Sequence, residues 1–140
     1  MRFILLLLLS SLTLSLSSFT SEVSLHRVSN ILKQVETSGK INVIGDSGKA
    51  FGILQIHKIC IDDVNRVYGT SYRHIDAFDE VCSEEIFVLY LTMGINLYCK
   101  RYNREPTERE LVNFWNFGLY QKQYDNGYYN KYLKFKNITR

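Results

Sequence analysis

Apolar residues return every three or four positions along most of this chain, a period that restricts it to packed helices. Leu25, Val28, Ile31, Leu32 and Val35 are the clearest case. At about 100° per residue, Leu25, Val28, Leu32 and Val35 fall within roughly 80° of one another, one face of a helix turned to a core. Ser21 or Ser24 can cap its start and Gly39 supplies a stop. The single proline, Pro106, precedes Thr107-Glu108-Arg109-Glu110, which reads as a capping box opening a helix through about Trp115. Strand-like alternation is nearly absent, so the expected class is mainly α.

The other elements follow from the same signals. A short helix is expected from about Ile59 to Tyr68, ending at Gly69. Ser83-Glu84-Glu85 places a cap and two acids before a longer helix with a stripe of Ile86, Leu89, Tyr90, Met93 and Leu97. A last amphipathic segment runs from about Asn126 to Phe135. Between the first two helices, Ile41-Asn42-Val43-Ile44 and the turn-rich Gly45-Asp46-Ser47-Gly48 suggest a small β-excursion.

Met1 and Arg2 lead into an apolar run from Phe3 to Leu9 that resumes at Leu12, Leu14 and Leu16, followed by small residues. These are the parts of a signal peptide, expected to cover residues 1–20 and to leave one domain over 21–140, secreted or periplasmic. An uncleaved anchor is the alternative, although the stretch is short for a bilayer span of roughly 20 residues. The net charge of +3 on 140 residues is too small, and the basic residues too scattered, to suggest nucleic acid. Cys60, Cys82 and Cys99 show no metal-ligand spacing. Cys82 and Cys99 would stand about 25 Å apart on one helix, so any internal disulfide must include Cys60. A Cys60–His57 thiol nucleophile lacks a glycine-rich turn around it. His26 and His74 read as surface residues. Asn137-Ile138-Thr139 is a glycosylation sequon, meaningful only in a eukaryotic secretory pathway.

One carboxylate stands out by its helical phase. Glu36 lies about 20° from Leu25 on the helical wheel, at the edge of the buried stripe and near the helix C-terminus. Burial and the negative helix end both disfavour its ionised form, as a general acid working near neutral pH requires. A glutamate on an exposed helix end would show the same spacing.

The segment that follows narrows the choice. Glu36-Thr37-Ser38-Gly39, then Gly45-Asp46-Ser47-Gly48-Lys49-Ala50-Phe51-Gly52-Ile53-Leu54-Gln55-Ile56, resembles the active-site signature of the lysozyme-like superfamily. It is most similar to the soluble lytic transglycosylases of phage and prophage type, and more distantly to goose-type lysozymes. Tyr90 and Phe114-Trp115-Asn116-Phe117-Gly118 extend the resemblance over residues 28 to 135. The resemblance implies a lysozyme-like fold with Glu36 as general acid and then base. It implies Gln55 bonding substrate or holding the loop, and Tyr90 and Asn116 lining the cleft. Asp46 falls where transglycosylases carry a substrate-contacting serine and goose-type lysozymes an accessory acid; the second goose-type acid aligns with His57. The implied partner is the glycan strand of peptidoglycan, cut by a monomer without cofactor or metal between N-acetylmuramic acid and N-acetylglucosamine. With one carboxyl the product is a 1,6-anhydro end, and with Asp46 assisting a water it is a hydrolysed one; a non-catalytic glycan binder is the third possibility. The chain departs from the family in Phe117-Gly118-Leu119, where members carry small residues or proline, and a bulky Phe117 narrows the expected cleft.

Overall fold

The computed structural model describes residues 25–119 and 126–138. The proposed signal peptide lies outside them. Among the described residues, five helices and a small sheet make the fold mainly α. Helix α1 spans residues 25–37, and its stripe is buried as the periodicity requires, with Val28 and Leu32 at the centre. Helix α2 runs Lys58–Tyr68 and stops at Gly69, whose left-handed backbone accommodates the turn. Helices α3 (Glu80–Tyr102), α4 (Glu108–Phe117) and α5 (Asn126–Ile138) follow. The capping box at Thr107 is present, with Glu110 reaching back to the Thr107 N–H at 2.7 Å.

The excursion between α1 and α2 is a three-stranded antiparallel sheet of two-residue strands. β1 (Ile44–Gly45) pairs with β2 (Ala50–Phe51), and β2 with β3 (Ile56–His57). The register sets Gly45 opposite Ala50 and Ala50 opposite His57. A 3-10 turn over Asp46–Gly48 joins β1 to β2, and another at His74–Phe78 closes against the sheet. Phe51 stacks between His74, at 3.9 Å, and Phe78, at 4.9 Å. His74 also hydrogen-bonds the Ile56 carbonyl at 2.8 Å. It is therefore a half-buried strut of the sheet and not the surface residue expected from sequence.

Helix α3 departs from its expected form in two ways. It begins one turn early, with Asp79 as the cap accepting from the Cys82 N–H at 2.9 Å, and Ser83 lies buried inside the first turns. Its buried face is also wider than the expected stripe. Phe87 and Leu91 are fully buried alongside Ile86, Tyr90 and Met93, whereas Leu97 is 42% exposed. A helix flanked by α2, α4 and the 3-10 turn at 74–78 is covered on several sides, so one stripe describes it poorly. Gly94 sits at a close approach on α3, where a Cβ would meet the Leu119 side chain at 2.4 Å.

Buried polar groups tie these helices together. Lys33 of α1 bridges to Glu84 at 2.7 Å and Glu80 at 3.1 Å, both on α3, while the Ser29 hydroxyl donates to Glu84. Burial opposes ionisation of Glu84, but Lys33, Ser29 and His26 together hold its carboxyl below the ordinary range. All three cysteines are free thiols; Cys60 packs into the core from α2, where burial pushes its thiol up. Among the described residues, no helix is long and apolar enough to cross a membrane.

Candidate active site

Glu36 occupies the last turn of α1, where the helix end is tightly held. Ser38 and Gly39 both take left-handed backbone, and their N–H groups donate to the carbonyls of Gln34 and Lys33 at 3.1 Å each. The Lys131 ammonium from α5 donates to the Val35 carbonyl, a cation placed at the negative end of the helix. The buried Thr37 hydroxyl lies 3.2 Å from the Lys33 carbonyl and 3.0 Å from the Ile53 carbonyl, which ties the following loop to the helix.

The Glu36 carboxylate is half-buried and faces two donors. The Tyr128 hydroxyl of α5 donates to its Oε1, and the Trp115 side chain of α4 bonds it as well. Desolvation is the largest influence and raises its pKa. The bonds from Tyr128 and Trp115 and the charge of Lys131 pull the other way, without cancelling it. The carboxyl thus keeps its proton to higher pH than an exposed glutamate, while two donors wait to stabilise the anion it leaves behind. The same contact and burial push the Tyr128 phenol up, so it stays a donor. Tyr128 and Lys131 carry no local sequence signal that would join them to a residue more than ninety positions away. The only hint is compositional: eight of the ten tyrosines fall after position 89.

Trp115 links Glu36 to a groove of about 220 Å³. Gln55, His57, Tyr90, Trp115, Asn116 and Phe117 are among the residues lining it. Tyr90 and Trp115 meet edge-to-face with centroids 6.1 Å apart, and the Tyr90 hydroxyl lies 3.7 Å from where a Gly118 Cβ would stand. Three of the expected site residues, Gln55, Tyr90 and Asn116, therefore share one groove, with Asn116 exposed on its wall and Phe117 beside it.

Gln55 is turned toward its own loop. Its amide donates to the Gly52 carbonyl at 2.9 Å and the Val43 carbonyl at 3.3 Å, from a left-handed backbone with φ 52°. Those bonds favour loop-holding over substrate contact through the amide nitrogen. Gly52 explains the glycine before it: φ is 76°, and a Cβ would stand 1.8 Å from the Ala77 carbonyl oxygen. Asp46 is exposed and not among the lining residues; it reaches the groove through His57, whose Nε2 lies 3.5 Å from Asp46 Oδ2.

A larger cavity of about 710 Å³ lies between α1 and α3 and shares no lining residue with the groove. Its polar walls are engaged internally, His26 with Glu84 at 2.8 Å, Tyr72 with Glu85 at 2.8 Å and Lys33 with two glutamates. It is the larger of the two, but the raised carboxyl of Glu36 is joined through Trp115 to the smaller groove. Compared with known proteins, the chain matches no family model, no curated protein and no solved structure.

Proposed function

We propose that this chain cleaves the β-1,4 bond between N-acetylmuramic acid and N-acetylglucosamine in peptidoglycan, on a lysozyme-like fold, outside the cytoplasm. The observation that carries the proposal is the Glu36 carboxyl: desolvated at a helix end, raised in pKa, and bonded by Tyr128 and Trp115 beside a groove lined by aromatic and amide side chains. Aromatic faces and amides suit the apolar faces and polar edges of sugar rings. The order of Glu36, Gln55, Tyr90 and Asn116 along the chain, similar to that of the lytic transglycosylases, supports the same conclusion.

The protonated Glu36 gives its proton to the bridging oxygen as the bond from the anomeric carbon breaks. Tyr128 and Trp115 stabilise the carboxylate so formed. That carboxylate then takes the proton of the muramic acid 6-hydroxyl as its oxygen closes on the anomeric carbon, leaving a 1,6-anhydro end and a restored acid. Hydrolysis is the second outcome, favoured by one observation: Asp46 is joined to His57 at the groove.

Release of soluble fragments from purified peptidoglycan tests the proposal. The intact protein releases them and Glu36→Gln does not. Fragments released equally by both would overturn the role of Glu36, and binding without release would leave a glycan-binding protein in place of an enzyme.

A further inference from the structure

His57 on the groove wall is paired with Asp46 just outside it, and the Glu36 chemistry leaves both side chains unused. His57 ends β3, and Asp46 opens the turn that leaves β1, two strands away in the same sheet. Asp46 and Ser47 both take left-handed backbone, φ 45° and 53°, an uncommon conformation for non-glycine residues. In that turn Asp46 Oδ2 comes to 3.5 Å from His57 Nε2.

Neither side chain has a structural duty that would explain the pairing. His57 is the N-cap of α2 by position, but its imidazole makes no capping bond. The two are 45% and 58% exposed, so neither packs in the core. Among the described residues neither makes another polar contact. His57 lines the groove wall together with Trp115, the residue that bonds Glu36.

We propose that His57, oriented by Asp46, delivers water to the bond that Glu36 protonates, so that part of the cleavage ends in hydrolysis instead of ring closure. This rests on the glycan-cleaving role of Glu36. His57 takes one proton from a water whose oxygen bonds to the anomeric carbon. The bond from that carbon to the bridging oxygen breaks, and the bridging oxygen takes the Glu36 proton. One water is consumed, and both residues return to their starting state by exchange with solvent. Asp46 stabilises the imidazolium and fixes the ring, the service a carboxylate gives a catalytic histidine. Asp46 is not the base itself, because it does not line the groove.

The test is the ratio of hydrolysed to anhydro ends made by the full chain on peptidoglycan, read by mass, since a hydrolysed end carries one more water. The intact protein gives both kinds. His57→Ala lowers the ratio by about 100-fold, the low end of what a positioned base contributes. Asp46→Asn lowers it by a smaller factor, and free imidazole raises it again in His57→Ala. A ratio unmoved in both variants overturns the role of the pair, as do exclusively anhydro ends from the intact protein. If the intact protein yields no fragments, Glu36 fails together with the pair. If fragments vanish in Glu36→Gln and the ratio stays constant in His57→Ala, only the pair fails.

Discussion

Replacing Tyr128 by phenylalanine removes one hydroxyl from Glu36 and leaves the ring in place. The hydroxyl donates to Oε1, so its loss is felt most where the carboxyl is ionised. A hydrogen bond to a charged acceptor is worth about 1.5–3 kcal/mol, and one between neutral groups about 0.5–1.5 kcal/mol. Burial raises the Glu36 pKa in the folded protein, so the folded state binds the proton more tightly than the unfolded chain. Stability from this group is therefore complete below the unfolded pKa and is lost as pH rises through the folded one. Tyr128→Phe raises the folded pKa further and steepens that loss. Urea unfolding at about pH 4 and about pH 8 should show a destabilisation of about 1 kcal/mol at the lower pH and about 2–3 kcal/mol at the higher. Made in a Glu36→Gln background, the same substitution should cost about the same at both. An equal penalty at both pH values in the Glu36 protein would refute the bond to an ionisable carboxyl.

Four further outcomes follow from the packing. Glu110 accepts from Arg104 at 2.8 and 3.0 Å, from the Thr107 N–H at 2.7 Å and from the Tyr98 hydroxyl; led by Arg104, these donors hold its carboxyl far below the ordinary range. Glu110→Ala should cost about 1.5–3 kcal/mol in denaturant titrations near neutral pH, and the penalty should shrink as acid protonates the carboxyl of the parent protein. Asp79→Ala should lower the melting temperature through loss of the cap on α3. Ser83→Ala should instead be neutral or stabilising in the same measurement, because the buried Ser83 hydroxyl has no hydrogen-bond partner among the described residues. Gly52→Ala should prevent the loop from closing on Ala77 and cost more than about 3 kcal/mol, read as a lowered melting temperature.

The parts of the fold that depend on short-range chemistry were legible. The stripe of α1, the capping box at Thr107 and the glycine stop after Tyr68 each arise within a few residues, and each stands where its local signals place it. Ser83 and Asp79 are both good caps for α3; the choice between them follows from the full burial of Ser83, which no local pattern carries. The same holds at the site. Glu36 was readable from its helical phase, and Gln55, Tyr90 and Asn116 from a resemblance. Asp46 carries an expected role from the same resemblance, but its pairing with His57, like the approach of Tyr128 and Lys131, comes from tertiary packing or a left-handed turn that no local pattern encodes. Gln55 shows the limit from the other side. Its place in the motif is legible in the sequence, but only the backbone of its own loop decides that the amide nitrogen faces inward.

The central claim is that Glu36 breaks a glycosidic bond in peptidoglycan. Mass analysis of the glycan ends formed by the intact protein and by Glu36→Gln, with both shown to be folded, tests it most directly. The account predicts new muramic acid ends, anhydro with a hydrolysed share, from the intact protein and none from Glu36→Gln. Glycan strands left whole by the folded intact protein, or cut equally by Glu36→Gln, would contradict it.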